Sequence, residues 1–376
     1  MEPLDKKRNA RRNVIFFCLI LLVFCVADLV QKDIFFSESE NRILTQKPRF
    51  SVESFFSGEY AEAYEKYVNE QFVSRDNWIT LKTYMDMALQ KKEINGVYLA
   101  KDNYLIEQHL AKDYPQELVD KKLGLLNKLV QEYPQTQVLL APTADNILLD
   151  KLPAQAPYFE QRELLQQVKD SVGEGQVINV FDILTEHAKE DIYYRTDHHW
   201  TTRGAYYAYL EWAEANNFSP VRYPLSSLQT VTEEFQGTLQ SKVNLPVDGE
   251  AIQMFPQTNL SPVKITYDLG LAADGFYEEK YLKEKNKYGY FLDDIHGLVE
   301  IETTSPIRKQ LFVIKDSYAN TMLPLLATHY EKIYVLDLRY FNGKLFEFMQ
   351  SCDEYGNMDV LVLYNCIHFL EDFEYY

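Results

Sequence analysis

In Leu311-Phe-Val-Ile-Lys-Asp-Ser317-Tyr-Ala-Asn320 a short apolar run breaks into a polar turn at Lys315 and Asp316. Such a continuous run marks a strand buried on both faces, as in a parallel sheet. Residues 318–328 then read as a helix. The same alternation continues outward. Downstream come strand 333–336, helix 343–351 and strand 360–364; upstream, helix 115–132 leads to strand 138–141 and helix 160–172 to strand 177–180. Helices alternating with short apolar strands predict an α/β fold with a parallel central sheet covered on both faces.

The stretch at about 220–300 breaks this rhythm. It holds Pro220, Pro224, Pro246, Pro256 and Pro262, many tyrosines and no long helical pattern, and reads as a partly antiparallel insertion. Residues 96–99 and 104–106 flank Lys101-Asp-Asn103 as a hairpin. Residues 51–92 read as helical, with Phe55, Phe56, Tyr60, Tyr64 and Tyr67 three to four apart. Residues 31–50 are polar and irregular and read as a linker.

The start of the chain is different in kind. Residues 1–12 form a basic arm, with five basic side chains against Glu2 and Asp5. An uncharged run from Val14 to Ala27 follows, and Asp28 near its end can reach headgroup water, so a transmembrane anchor at 13–30 is expected. A cleaved signal peptide is the alternative, but Val26-Ala-Asp28 offers no small-x-small cleavage site. The basic arm predicts a single pass through the cell membrane with the N-terminus cytoplasmic and the body, residues 51–376, extracellular.

The 376 residues are 46% hydrophobic and 14% aromatic, enough for a substantial core, and the net charge of −18 speaks against nucleic acid as a partner. Cys18 and Cys25 lie in the apolar run; Cys352 and Cys366 form either one bridge or two buried thiols.

Two segments carry chemistry. Ligands of open parallel sheets bind beyond the carboxyl ends of strands. Ser317 stands at such an end, where its own N–H and those following it would face a developing oxyanion. The alternative role for Ser317 or Asp316 is to cap the next helix. The second segment is Tyr193-Tyr-Arg-Thr-Asp197-His198-His199-Trp200-Thr-Thr-Arg-Gly204. A serine hydroxyl needs an imidazole to take its proton and a carboxylate to orient that imidazole. Asp197 and His199 are two apart, so in an extended or looped backbone they point the same way, with His198 pointing away. The alternative is Thr196 or Asp197 capping a helix at 202–216. No metal is expected: adjacent histidines chelate poorly, and His109, His187, His296, His329 and His368 show no ligand spacing.

The Asp197-His-His-Trp200 sequence resembles the signature of the DHHW proteins, which are related to alginate O-acetyltransferases and to SGNH hydrolases. The resemblance extends over Glu40-Asn-Arg42 with Pro48, Glu70-Gln-Phe72 with Arg75 and Trp78, Asn95-Gly-Val-Tyr98, Phe235-Gln-Gly-Thr-Leu239, Ile314 to Asn320, His329-Tyr330, Asp337-Leu-Arg-Tyr340 and Tyr364-Asn365. It implies an SGNH-hydrolase-like three-layer fold, circularly rearranged so that the Asp-x-His element precedes the serine. It also implies Ser317 as nucleophile, His199 as base and Asp197 as orienting acid. The common SGNH pattern has two residues between Asp and His and a Gly-Asp-Ser block. Asp-His-His here agrees with the alginate acetyltransferase branch, whereas Lys-Asp-Ser leaves the oxyanion donors open. Gly237, Asn365, Asn320 and the loop Pro142-Thr-Ala-Asp-Asn146 are candidates for oxyanion or substrate binding, with turn or loop roles as the alternative. Arg339 is a candidate for binding an anionic substrate or for pairing with Asp337.

The function so implied is O-acyl transfer, most simply of acetyl, to a cell-envelope or secreted polysaccharide through an acyl-serine and without a cofactor. A membrane-bound O-acyltransferase is the expected partner that delivers acyl groups. A carbohydrate esterase, or a non-catalytic polysaccharide-binding or scaffold protein of the envelope, are the alternatives.

Overall fold

The computed structural model describes residues 3–37, 42–256, 262–268, 270–273, 275–305 and 307–375. Glu40 and Asn41 of the Glu40-Asn-Arg42 motif lie outside them, as do residues 257–261 of the 220–300 stretch. The chain forms two compact units, one of residues 1–90 with Val243–Leu245, the other of residues 91–242 and 246–376.

The first unit begins with a helix, Pro3–Val30. Its segment Arg8–Val30 is long and apolar enough to cross a membrane. Parts of the 31–50 segment are tied to a helix that follows. The Gln71 carboxamide accepts from the Ile34 N–H at 2.8 Å and donates to the carbonyls of Ile34 and Thr45 at 2.9 and 3.0 Å. The expected helical region holds three helices, Val52–Ser57, Glu59–Gln71 and Arg75–Ala88. Gly58, at φ +88°, separates the first two, a conformation glycine adopts without steric cost.

The second unit is built on a seven-stranded sheet. In chain order its strands are β1 (Thr136–Ala141), β2 (Pro262–Tyr267), β3 (Leu271–Ala273), β4 (Leu298–Thr303), β5 (Gln310–Lys315), β6 (Lys332–Leu336) and β7 (Asp359–Asn365), arranged β3-β2-β4-β6-β5-β7-β1. The sheet is mixed, which corrects the expectation of a parallel one. β6, β5, β7 and β1 are parallel neighbours, while β4, β2 and β3 add antiparallel strands at one side. Those three strands come from the stretch between 262 and 303, whose cue is weaker. β4 alternates buried Val299 and Ile301 with charged Glu300 and Glu302, the pattern of a strand with one face toward the core. β5 lies between two parallel neighbours and is buried at all six residues, which is why its apolar run is continuous.

Two other expectations change. Residues 177–180 make only an isolated parallel bridge from Val177 to Val138 before the helix Phe181–Glu186 begins. The helix expected at 318–328 is a 3₁₀ turn Ser317–Thr321, a short helix Leu323–Leu326 and a second 3₁₀ turn Ala327–His329. Pro324 sits in the first turn of that short helix, where proline is tolerated. The helix Gln116–Glu132 packs against Gln161–Val172 and Cys366–Asp372, and Thr202–Ala215 packs against Phe181–Glu186 and Leu323–Leu326. Cys352 and Cys366 are buried free thiols.

Candidate active site

Asp197 and His199 sit in a tight loop closed by an antiparallel bridge between Tyr193 and Trp200. The half-buried Glu250 carboxylate accepts from the N–H groups of Arg195 and Thr196, both at 2.8 Å, and so fixes the loop's outer arm. Trp200 fixes its far end. Its indole N–H donates to the Tyr318 carbonyl at 2.9 Å and to Thr321 Oγ1 at 3.0 Å, which joins this loop to the turn that carries Ser317.

That turn leaves the carboxyl end of β5. Asp316 is fully buried and caps it, Oδ1 accepting from the Tyr318 N–H at 2.9 Å. Its Oδ2 accepts from the Asn365 N–H at 3.0 Å, from Asn365 Nδ2 at 2.9 Å and from His368 Nδ1 at 2.9 Å. Burial alone would raise the Asp316 pKa, but His368 and these amides hold it below the usual carboxylate range.

The two segments meet. His199 Nε2 lies 2.7 Å from Ser317 Oγ, and His199 Nδ1 lies 2.5 Å from Asp197 Oδ1. The same Oδ1 accepts the His199 backbone N–H at 3.0 Å. Asp197 Oδ2 accepts from the N–H and hydroxyl of Thr238 at 2.8 and 3.0 Å. Burial would push the Asp197 carboxyl up, yet the two imidazoles and the Thr238 N–H keep it well below its ordinary value. A carboxylate at Nδ1 places the imidazole proton there and leaves Nε2 free to accept from a hydroxyl. The His199 ring stacks on Tyr288, with centroids 3.7 Å apart and planes 11° apart. The Tyr288 hydroxyl donates to the Ser317 carbonyl at 3.2 Å.

His198 points elsewhere. Its Nδ1 lies 2.9 Å from Thr238 Oγ1, and its pKa is pushed down to about 3 by burial and by His199 beside it. It borders a cavity of about 230 Å³ that Asp197, Glu107, His109, His368 and Glu371 also line. Asp197, His198 and His199 are also a described group with metal-ligand chemistry, their ligand atoms within 4.8 Å of one another. A metal there would displace the hydrogen bonds to Thr238 and Ser317.

Of the amides at the Ser317 turn, Tyr318 N–H goes to Asp316 Oδ1 and Ala319 N–H to the Asp316 carbonyl at 3.3 Å. Among the described residues the Ser317 N–H, at the first position of its 3₁₀ turn, has no acceptor. The Gly237 N–H is taken by Thr196 Oγ1 at 3.0 Å. Asn365 links Asp316 to the helix Cys366–Asp372, its Oδ1 accepting from Ile367 and His368 N–H at 2.9 and 2.8 Å. Asn320 Oδ1 accepts from the buried Lys315 ammonium at 2.8 Å. Arg339 grips Asp337 with Nε and Nη2, at 2.9 and 2.6 Å. In the 142–146 loop, Asp145 bonds Thr143 Oγ1 at 2.6 Å and His109 Nδ1 at 2.9 Å, both buried.

Sequence reasoning does not single out Tyr288, Thr238 or Glu250. Tyr288 is one of 28 tyrosines and stands in no motif. Thr238 had a signal, since it follows Gly237 inside Phe235-Gln-Gly-Thr-Leu239.

A sequence model described as "DHHW protein" matches residues 100–336, the stretch that contains Asp197, His199 and Ser317. The chain belongs to the DHHW family. Its fold is similar to that of solved structures. A DHHW family protein from Eubacterium siraeum is 22% identical, with 74% of this chain and 93% of that one covered and a TM-score of 0.60. PatB1 from Bacillus cereus, solved with a sulfonyl adduct, is 20% identical, with 73% and 95% covered and a TM-score of 0.60. A second PatB1 structure gives 20% identity, 71% and 95% coverage and a TM-score of 0.58. A comparison with curated proteins gives no match. The DHHW letters each have a place here: Asp197 and His199 in the hydrogen-bonded chain to Ser317, His198 beside the cavity, Trp200 as the tie to the serine turn.

Proposed function

We propose that this DHHW protein is an O-acyltransferase that carries an acyl group, most simply acetyl, on Ser317 and passes it to a hydroxyl of a cell-envelope or secreted polysaccharide. The continuous hydrogen-bonded chain from Asp197 through His199 to Ser317 carries this reading. Ser317 Oγ attacks the acyl carbonyl of an ester or thioester donor while His199 Nε2 takes the hydroxyl proton. The Ser317 N–H donates to the oxyanion. His199 returns the proton to the leaving group, and the acyl-serine forms. An acceptor hydroxyl then attacks, giving its proton to His199, which passes it to Ser317 Oγ as the acyl–serine bond breaks. Asp197 holds Nδ1–H throughout and stabilises the imidazolium.

The order Asp197, His199, Ser317 along the chain fits a rearranged three-layer SGNH-like fold. With Arg8–Val30 as a membrane anchor and the basic arm inside the cell, the site faces outward. Acyl groups then have to be delivered across the membrane, the role assigned to a membrane-bound O-acyltransferase partner.

The test uses the full chain in detergent. PatB1 of Bacillus cereus carries a sulfonyl adduct, and a sulfonyl fluoride should likewise modify this chain at Ser317, with fluoride leaving. Peptide mass spectrometry reads the site. Incubation with an activated acetyl ester and candidate glycans then separates transfer, seen as acetylated glycan, from an esterase, seen as free acetate. A chain that takes neither sulfonyl nor acetyl label at Ser317 is not an acyl-serine enzyme.

A further inference from the structure

Within the first unit the helix Arg75–Ala88 buries two polar side chains, Thr83 and Asp86, and exposes several apolar ones, with Lys82 the one charged side chain among them, paired with Asp86. Thr83 is fully buried, and its hydroxyl donates to the Val243 carbonyl at 2.8 Å. Thr80 Oγ1 and the Asp76 carbonyl accept from Asn244 Nδ2, both at 2.9 Å. Trp78, Leu81, Met85 and Leu89, spaced three to four apart along one stripe, are 43%, 48%, 59% and 72% exposed. A helix on a water-facing surface keeps such apolar residues on the buried face, whereas a single long lysine such as Lys82 can lay its stem along an apolar surface with its ammonium at the headgroups.

The stripe's first end is tied to the apolar N-terminal helix. Phe24 packs against Phe72 and Trp78, with ring centroids 6.2 and 5.7 Å away. Val23, Phe24 and Ala27 share an apolar groove with Val73, Trp78 and Leu81. The Asp28 carboxylate, near the end of the same helix, accepts the Val73 N–H at 3.2 Å. Phe24 lies six residues inside Val30, about 9 Å along the axis at 1.5 Å per residue. Side chains that touch Phe24 therefore stand at the depth where an interfacial helix buries its apolar face, about 5–10 Å below the headgroups.

We infer that the Trp78–Leu81–Met85–Leu89 face lies in the outer lipid leaflet, so that the helix Arg75–Ala88 is a second, interfacial membrane contact beside the spanning one. The inference rests on reading Arg8–Val30 as a membrane span. Trp78 suits this depth, because its amphipathic ring favours the membrane–water interface. Asp28 suits it too: the backbone turn that enters the apolar zone has its N–H satisfied from within the chain, as a non-aqueous surrounding demands.

Tryptophan quenching tests it. The chain has three tryptophans, and Trp200 and Trp212 are fully buried. The full chain is reconstituted into phosphatidylcholine–phosphatidylglycerol vesicles, with and without lipid brominated near the top of the acyl chain. The expected result is loss of Trp78 emission to brominated lipid and none to aqueous iodide, with the Trp78→Phe variant losing no emission to either. Quenching by iodide would place Trp78 in water and overturn the inference. Protection from both quenchers would show a protein covering the face, such as a membrane-embedded partner or a second copy, and would overturn it as well. Alkaline extraction of the same vesicles is the control for the span. A chain released by alkali loses the anchor reading together with this one, whereas a retained chain with Trp78 in water loses only the interfacial contact.

Discussion

Gly237 lies flush against Asp197: a Cβ on Gly237 would stand 2.2 Å from the Asp197 Cβ and 2.4 Å from Oδ2. No other side chain fits there while the carboxylate keeps its place between His199 and Thr238. Gly237→Ala should therefore displace Asp197 and not merely crowd it. A misplacement of about 1 Å at such a group costs up to about 100-fold in rate, and the overpacking itself costs about 1–3 kcal/mol. The measurement is the acyl-transfer rate beside the melting temperature. A variant that melts lower but transfers at the wild-type rate would mean that Asp197 does not orient the base.

Tyr288 supports the base from its face. Tyr288→Phe keeps the ring stacked on His199 and removes the hydroxyl that donates to the Ser317 carbonyl. The loss of one such hydrogen bond is worth about 1 kcal/mol, which is a fall of about fivefold. Tyr288→Ala also removes the stacking surface and opens the imidazole to water, so its loss should be larger by at least another order of magnitude, about 100-fold in total. Rates for the two variants that do not differ would remove the ring from the mechanism.

How much of this was legible in the sequence differs from residue to residue. β5 was, because a strand between two parallel neighbours must be apolar on both faces. β2, β3 and β4 were legible only as a partly antiparallel insertion and not strand by strand, because one-sided strands such as Leu298–Thr303 alternate Val and Ile with Glu and stand among prolines and tyrosines that look like loop. The nearness of Asp197 to His199 followed from two-residue spacing alone. The nearness of His199 to Ser317, 118 residues apart, had no cue in spacing; it came from the placement of Ser317 beyond a strand and from the family resemblance. Glu250 and Tyr288 reach the site from remote segments, and no periodicity or spacing announces such contacts.

The buried His109 gives stability a pH dependence. Burial opposes its charge, but Asp145 at 2.9 Å and Glu107 at 3.8 Å outweigh burial and raise its pKa to about 10. Unfolded, it titrates near 6.5. A raised folded pKa means the folded state binds the proton more tightly. The stabilisation is therefore complete below about pH 6.5 and is lost as pH rises through about 10. Melting curves between pH 6 and pH 10 should show wild type losing its advantage over His109→Gln across that window. Curves that stay parallel would mean that His109 is not held protonated.

The orientation of the chain is a separate matter. Protease added to cells after wall removal should digest the chain beyond about residue 40 while the basic arm, tagged at its N-terminus, stays intact. A body that survives in intact cells and is cut only after lysis would place the site inside. A secreted chain lacking its first thirty or so residues would show a cleaved signal.

Ser317→Ala removes the oxygen that carries the acyl group, and His199→Ala removes its base. The two act through one proton, at the 2.7 Å contact between Oγ and Nε2. Either substitution alone should lower transfer by several orders of magnitude, and the double variant should be little worse than either single one. Asp197→Asn leaves nucleophile and base in place but takes away the charge that steadies the imidazolium and favours the Nδ1–H tautomer. Its loss should be smaller, though still about 10⁴-fold where the tautomer is reversed. None of the three should change how strongly the chain binds glycan. The measurement is the acetyl content of envelope polysaccharide in a deletion strain complemented with each variant, with protein levels matched. A scaffold protein predicts the reverse: full acetylation with Ser317→Ala, and loss only when the aromatic surface between 220 and 300 is altered. Full restoration by a stably expressed Ser317→Ala chain would end the enzymatic reading.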